Sequence, residues 1–364
     1  MLGQKMKVDT ITCHNVYNVG ASLQAYALAK YLSSLGHDVN IIDYQPDYLK
    51  HYRLWGVKNP KYNRPFLREA YNLLKLPGRL IERLDSPKKE FDAFTSRYLP
   101  LTSVTYCTNE ELLSNPPKAD LLIAGSDQIW NSNFQNGRDP SFYLNFAQKG
   151  EIRASYAASF ATDHLNERYR EKIAEWINQL DFVSVRESSG VQIVRDLGRT
   201  DVVKVVDPVF LLGRKIWEDM AALSDEVTTR SYVLIYDFDK NKSITEQAKR
   251  IASEKKCETI SIFANKDADK SFHGVAPIEF LWLVKHAEAI ITNSFHATAF
   301  SVMFEKPFIV FDRQEPLNSR LHDLLSDLEL KKDSLHTDFS NADKKLSDDI
   351  ERSQKFLDTV IQAI

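Results

Sequence analysis

Cysteine, glycine and long apolar runs are all scarce in this 364-residue sequence. The three cysteines are far apart and form no C-x-x-C pair, which argues against a disulfide framework or a zinc site and favours free thiols in a reducing compartment. No apolar run approaches the roughly 20 residues that cross a bilayer, and the start of the chain lacks the apolar stretch of a signal peptide. We therefore expect a cytoplasmic protein, or one attached to the inner face of a membrane without crossing it.

An excess of charge of one sign is also missing. The sequence has 47 Lys and Arg against 50 Asp and Glu, a net charge of -3, and nothing in this balance calls for nucleic acid as a partner. Hydrophobic residues make up 43% and charged residues 27%, as in an ordinary globular protein. No cluster of metal-ligating residues is visible, so we predict no metal and no bound cofactor. At roughly 100–200 residues per domain, the length favours two domains.

Short apolar segments alternate with segments of helical apolar spacing along most of the chain. Strands alternating with helices indicate parallel sheets that are covered on both faces. A polar stretch over 212–230 separates two such units. We predict an α/β fold of two Rossmann-like domains facing a cleft, residues 1–212 and residues 213–364, the second including a closing C-terminal helix. Ligands of such sheets lie beyond the carboxyl ends of the strands.

One segment departs from this alternation, and we predict a basic, aromatic insertion over about residues 46–118. Between Lys50 and Arg97 the sequence has twelve Lys or Arg against five Asp or Glu, with tyrosine, tryptophan and phenylalanine between them. Such a surface suits anionic lipid headgroups or a pyrophosphate-linked lipid. A solvated helical insertion whose charged side chains extend into water is the alternative.

A histidine follows the strand predicted over Ala289–Thr292 and opens the next helix. Ser294 is a natural N-cap there, and the helix start attracts an anion such as phosphate or carboxylate. His296 lies in the first turn, where a cleft residue belongs, although a histidine that only caps the backbone fits the position equally well.

Polar loops follow two further predicted strands. The loop Gly125–Asn131 contributes Asp127, Gln128 and Asn131, of which Asp127 is suited to accept a proton from a sugar hydroxyl. The first strand-to-helix loop contributes Asn15, Asn18 and Gly20. It lacks the G-x-G-x-x-G pattern of dinucleotide sites, so its polar side chains favour sugar hydroxyls.

Basic side chains near other strands are candidates for holding an anion. Arg186 ends the strand Phe182–Val185 and can form two parallel bonds with a carboxylate or phosphate. Arg153 and Lys306 are weaker candidates, since surface ion pairing explains them as well. Asp207 is read as a turn residue or a cleft residue, and Arg320 as a cleft residue or a cap.

Taken together, these segments resemble the polysaccharide pyruvyl transferase family. Seven stretches occur in the family's order: HNVYNVGASLQAYAL (14–28), GSDQIWN (125–131), SYAASF (155–160), SVRESSG (184–190), VDP (206–208), TNSFHATAFS (292–301) followed by Lys306-Pro307, and SRLHDLLSDLEL (319–330). The sequence departs from the pattern at Ala161 and Ala297, where glycine is expected.

The resemblance implies a fold similar to the GT-B glycosyltransferase arrangement and phosphoenolpyruvate as the donor co-substrate. Residues 1–212 are then the acceptor side and residues 213–364 the donor side, and we expect His296 to act as general acid beside the bound donor. The implied product is a pyruvate ketal on a sugar of a bacterial surface polysaccharide precursor, with a free sugar or a lipid-linked oligosaccharide as acceptor. A GT-B glycosyltransferase that uses a nucleotide sugar, or a non-catalytic glycan-binding protein, remains the alternative.

Overall fold

The computed structural model describes residues 5–49, 86–315 and 318–364. Parallel strands form the framework of this part of the chain. They are β1 Lys7–Ile11, β2 Asp38–Tyr44, β3 Leu101–Tyr106, β4 Leu121–Ala124, β5 Ile152–Ser155, β6 Ser184–Val185, β7 Val203–Lys204, β8 Tyr232–Tyr236, β9 Glu258–Ser261, β10 Lys270–Ser271, β11 Ala289–Thr292 and β12 Phe308–Val310.

The strands form two sheets of the same design. Their orders are β3-β2-β1-β4-β5 and β10-β9-β8-β11-β12, and β6 pairs with β7 in a separate ladder. Single bridges from Ala154 to Phe182 and from Ala158 to Val185 join this ladder to the end of the first sheet. In both sheets the chain first builds outward on one side of a central strand, β1 or β8, and then on the other. This reversal opens a crevice at the carboxyl ends of the central strands.

Helices cover the faces of both sheets. They are α1 Val19–Ser34, α2 Ser86–Tyr98, α3 Asn109–Ser114, α4 Arg170–Asn178, α5 Ser188–Asp196, α6 Arg214–Ala221, α7 Lys242–Lys255, α8 Pro277–His286, α9 Phe295–Met303, α10 Ser319–Asp327 and α11 Ser340–Gln362. Short 3-10 helices span Asn136–Arg138, Pro140–Tyr143, Glu167–Tyr169 and Pro208–Leu211.

Helix α1 shows how the sequence positions one wall of the later site. It begins because the Asn18 side chain accepts a hydrogen bond from the Ala21 backbone N–H, at 3.2 Å. It ends before Gly36, whose φ of 96° favours glycine. Twelve of its residues are buried, which fits a helix enclosed between the two sheets rather than one that lies on the surface.

The α/β prediction of two Rossmann-like units is confirmed, and one of its details is corrected. Strand β3 lies inside the range 46–118 that we assigned to an insertion, yet it pairs with β2 as part of the first sheet. Strand β2 is mostly buried, so another strand has to cover its outer edge, and β3 is that strand. The basic aromatic stretch at residues 50–85 lies outside the described residues.

Helix α11 returns to the predicted first domain, residues 1–212. The Val206 N–H donates to the Ser353 hydroxyl at 2.9 Å, and Leu357 and Val360 are fully buried. The closing helix thus ties residues on both sides of the predicted boundary at 212/213, which itself stays a prediction. Among the described helices, none is long and apolar enough to cross a bilayer.

Candidate functional site

A cleft of about 640 Å³ lies where the carboxyl ends of the two sheets face each other. Its walls come from loops that follow β1, β4, β8, β11 and β12 and from the start of α10. The residues that line this cleft include Asn18, Gly20, Asp127, Gln128, Ser294, Phe295, His296 and Arg320. The volume falls within the range of about 300–1,000 Å³ that is typical of small-molecule sites.

His296 faces this cleft from the first turn of α9. The helix begins there because the Ser294 hydroxyl accepts a hydrogen bond from the Ala297 N–H at 3.3 Å. The predicted donor residue Ser294 therefore acts as the N-cap. His296 Nε2 lies 3.6 Å from the Asp207 carboxylate, an ion-pair distance that is too long for a hydrogen bond.

Asp207 connects His296 to a buried arginine. The same carboxylate oxygen accepts a short hydrogen bond from Arg186 Nη1, and both side chains are almost fully buried. Burial acts to raise the pKa of Asp207, but Arg186 and His296 outweigh it and hold that pKa well below its usual range. The carboxylate is therefore ionised. Asp207 is also the turn residue that the sequence suggested, since its side chain accepts a hydrogen bond from the Val209 N–H at 3.1 Å and caps the 3-10 helix Pro208–Leu211.

A second buried arginine, Arg320, lies beside the Phe295 ring. The guanidinium carbons of Arg186 and Arg320 lie 4.7 Å and 5.8 Å from the centre of that ring. Arg320 Nη1 also lies 3.6 Å from the Asp127 carboxylate. Burial and the nearby charge of Arg186 lower the pKa of Arg320 to about 10, so the Arg320 guanidinium still carries its charge at neutral pH.

Several nitrogen atoms of Arg186, Arg320 and His296 have no hydrogen-bond partner within the described part of the protein. Nε and Nη2 of Arg186, Nε of Arg320 and Nε2 of His296 are buried and have no hydrogen-bond partner among the described residues. Buried polar groups are normally satisfied, so such a concentration points to a ligand that accepts hydrogen bonds. An oxyanion satisfies these donors and reduces the repulsion between two guanidinium groups. Within the same residues, no His, Cys, Asp and Glu group is arranged to hold a metal ion.

Gly20 sets the position of the imidazole from the opposite side. A β carbon at position 20 would overlap the ring atoms of His296, including Nδ1. The backbone of α1 thus packs directly on a side chain of α9. We predicted that Gly20 binds the acceptor sugar. The contact that the structure shows is with the His296 ring, for which Gly20 leaves room.

Substitution of Gly20 by alanine should therefore displace His296. Alanine is favoured over glycine within a helix by about 1 kcal/mol, so the helix itself gains, whereas the imidazole loses its place. A misplacement of about 1 Å is enough to reduce catalysis by roughly 10²-fold. We expect kcat to fall by that order while thermal stability changes little. Gly213→Ala, at a site where an added β carbon meets nothing within 4 Å, is the matched control. Unchanged kcat in Gly20→Ala would contradict the packing argument.

The predicted acceptor residues divide into two groups. Asp127 and Gln128 line the cleft, and Asp127 has a positive φ of 75° that turns the chain out of β4. Asn18 also lines it, although its side-chain oxygen caps α1. Asn131 is fully buried, donates to the Gln128 side chain at 3.2 Å and accepts from the Asn133 N–H. Asn131 therefore holds its own loop together, which corrects our prediction that it binds the acceptor sugar.

Asn15 is half-buried in the first loop and is not among the residues lining the cleft in the described chain. Neighbouring Cys13 does line it, yet burial and the charges of Asp127 and Asp139 raise the pKa of its thiol well above the usual value. Cys13 is thus a neutral thiol rather than a nucleophile.

Arg153 and Lys306 are placed on the wrong side for donor binding. Arg153 lies at the beginning of β5, and its backbone N–H donates to the Asp181 carboxylate at 2.8 Å. Lys306 precedes β12, where burial lowers the pKa of its amine. Both are at amino ends of parallel strands, whereas the cleft lies at the carboxyl ends. This corrects both assignments.

A sequence match over most of the chain decides the family. The sequence model of the family described as "Polysaccharide pyruvyl transferase" matches residues 18–315. The chain belongs to the polysaccharide pyruvyl transferase family. It is therefore a transferase, and His296, Arg186 and Asp127 all lie within the matched range. Arg320, the second buried arginine, lies just beyond it. Comparison with curated proteins gives no match.

Solved structures show the fold that this polysaccharide pyruvyl transferase family member adopts. A Listeria monocytogenes protein provisionally assigned as a UDP-N-acetylglucosamine 2-epimerase aligns with a TM-score of 0.52 at 11% identity, covering 99% of this chain and 91% of its own. The Staphylococcus aureus protein MnaA, solved with UDP, aligns with a TM-score of 0.50 at 12% identity, covering 96% and 89%. The fold is thus the GT-B arrangement of two Rossmann-like units.

One family motif shows why its residue types matter here. Glu187 of the stretch 184–190 is fully buried, and its carboxylate accepts hydrogen bonds from the N–H groups of Phe160 and Ala161, at 2.8 and 3.0 Å. Ala161 has a φ of 57°, the left-handed region that favours glycine, which explains the glycine expected there. Glu187, next to Arg186 in the chain, thus holds the loop that contains Phe160 and Ala161 in place.

Proposed function

We propose that this transferase moves the enolpyruvyl unit of phosphoenolpyruvate onto two hydroxyl groups of a sugar, forming a pyruvate ketal and releasing phosphate. The observation that carries the proposal is the set of unsatisfied donors on Arg186, Arg320 and His296 around Asp207. The donor molecule bears a carboxylate and a phosphate ester on the same carbon atom. Two guanidinium groups beside one imidazole match such a compact anion.

In the proposed reaction His296 donates a proton to the methylene carbon of the enol. The charge that develops at the neighbouring carbon is attacked by the first sugar hydroxyl, which loses its proton. The second hydroxyl then displaces phosphate, its proton leaves with the phosphate, and the former methylene is a methyl group of the ketal. The two hydroxyl protons thus balance the proton gained by carbon and the one carried away by phosphate. Asp207 stabilises the protonated imidazole before transfer.

The acceptor sugar lies, in this proposal, against the wall formed by Asp127 and Gln128. Asp127 accepts the hydroxyl proton, and Gln128 supplies an amide for hydrogen bonding. The acceptor is a precursor of a bacterial surface polysaccharide, held either as a free sugar derivative or on a lipid at the inner face of the membrane. We propose a cytoplasmic site of action accordingly.

Incubation with phosphoenolpyruvate and a panel of sugar acceptors tests the proposal. Phosphate release that depends on the acceptor, together with the mass increment of a pyruvyl group on the sugar, is the expected result. The same panel includes nucleotide sugars as donors. Transfer of a glycosyl group from one of these, with phosphoenolpyruvate left unchanged, would instead establish a glycosyltransferase. Binding of glycan without any turnover would reject both.

Arg186→Lys should weaken donor binding specifically. Lysine keeps the charge and one contact with Asp207, but it lacks the Nε and Nη2 groups that Arg186 leaves free for the ligand. Loss of one charge-assisted hydrogen bond costs about 1.5–3 kcal/mol, which corresponds to roughly 10- to 150-fold in the donor KM. The acceptor KM should not change. Arg250→Lys, on the exposed face of α7, is the matched control. Equal donor KM and kcat in Arg186→Lys would remove this residue from the site.

A further inference from the structure

A second cavity of about 460 Å³ lies behind the arginine pair. We name it the side bay. Its apolar floor comes from β7, α10, α11 and the 3-10 helix Pro208–Leu211, through Val205, Phe210, Leu324, Leu328 and Leu346. Lys204 and Arg352 lie at its edge, where each is paired with an aspartate.

The side bay and the cleft share only part of their walls. Phe295 and Arg320 line both spaces. Among the residues described, Arg186 and Asp207 line the side bay but not the cleft, whereas His296 and Asp127 line the cleft but not the side bay. The site is therefore a layer between two openings. The Arg186 guanidinium borders the side bay, and the imidazole of His296 and the Asp127 carboxylate border the cleft.

The unsatisfied atoms agree with this division. Arg186 has a side chain that is 2% exposed, and its Nε and Nη2 have no hydrogen-bond partner among the described residues. These atoms belong to a residue that faces the side bay. Buried cationic donors beside an apolar floor bind an oxyanion strongly, because water does not compete for them.

We propose that a small oxyanion reaches Arg186 and Arg320 through the side bay, on the side of the layer opposite the sugar. The inference rests on the proposed function in one respect: that oxyanion is the donor before transfer and inorganic phosphate after it. The two substrates then use separate openings. Phosphate leaves through the side bay while the sugar still occupies the cleft, so product phosphate and acceptor do not compete.

A charge at the mouth of the side bay tests the route. Val203 is 37% exposed on β7 and lines the bay, so glutamate or lysine there faces water without disturbing the core. We expect Val203→Glu to weaken and Val203→Lys to strengthen the binding of inorganic phosphate and of phosphoenolpyruvate, each on the order of fivefold at low salt and less at high salt. Titration calorimetry gives the affinities, and stopped-flow mixing gives the association rates. An opposite effect of the two charges excludes misfolding as the cause.

Two matched positions identify the route. Val104 is 41% exposed on β3, the far edge strand of the first sheet, and the same substitutions there should change nothing. Gln135 is exposed on the rim of the cleft. If Gln135→Glu slows phosphate association as much as Val203→Glu does, the anion enters through the cleft and the inference is wrong.

These measurements need no turnover. Charge-dependent phosphate binding without any pyruvyl transfer would retain the side bay and reject the proposed function. Pyruvyl transfer with phosphate binding that is indifferent to position 203 would retain the function and reject the side bay.

Discussion

Replacement of His296 by alanine is expected to leave the fold intact and to lower the rate of pyruvyl transfer by about 10²–10⁴-fold, the usual contribution of a general acid. The ring lies at the surface of the cleft, packed between Gly20 and Asp207, and it is not part of either apolar core. Its loss therefore removes the proton source without opening the core. Acceptor-dependent phosphate release, measured beside the thermal unfolding midpoint, gives both quantities.

The control for this experiment is another histidine with an acidic partner. His164 Nδ1 lies 2.7 Å from the Asp163 carboxylate, but both side chains are exposed and remote from the cleft lining. His164→Ala should retain full activity. His296→Gln preserves the volume beside Gly20 and should be as inactive as the alanine variant. Transfer near the wild-type rate in either His296 variant would show that another group protonates the enol.

Replacement of Asp207 by alanine should be the most destabilising single change in the site. It leaves the Arg186 guanidinium buried without its counter-ion, and breaking a buried pair in this way costs about 3–5 kcal/mol of unfolding free energy. The pKa of Asp207 is lower in the folded protein than its ordinary value. Its stabilisation is therefore complete at neutral pH and is lost as the pH falls through the folded-state pKa. Urea unfolding at pH 7 measures the cost.

Two comparisons isolate the buried pair. Glu254→Ala breaks the exposed pair with Arg250 and should cost no more than about 1 kcal/mol. The double variant Asp207→Ala/Arg186→Met removes both charges and should be more stable than Asp207→Ala alone, because no uncompensated charge remains. If Asp207→Ala costs as little as Glu254→Ala, the arginine finds other compensation and the pair is not structural.

The alternation of elements is legible in the sequence because buried parallel strands are short and apolar on both faces. The apolar pattern predicts strands over Leu121–Ala124, Tyr232–Tyr236 and Ala289–Thr292 and a helix over Pro277–His286, and β4, β8, β11 and α8 occupy these same residues. The pattern also predicts a strand over Ser155–Phe160, but β5 ends at Ser155. Ala157 and Ala161 have positive φ values, 54° and 57°, and interrupt the ladder. Apolarity alone does not reveal such turns when alanine replaces glycine.

Parts of the site were predictable for a topological reason. His296 and Asp127 follow strands, and the carboxyl ends of parallel strands meet at one edge. The same rule could have excluded Arg153 and Lys306, which precede strands. Asp207 was harder to assign because an Asp-Pro pair is a common turn, and its partners lie far away along the chain. Phe295 became part of the site only when Arg186 and Arg320 were seen beside its ring.

The contact between Gly20 and His296 has a consequence for the architecture. The imidazole is anchored to one sheet, but its carboxylate neighbour and the glycine that cradles it are anchored to the other. In the proposed mechanism, neither half alone therefore holds a competent proton donor. A movement that parted the two sheets would separate His296 from Asp207 and Gly20, so an open form of the molecule should not hydrolyse the proposed donor.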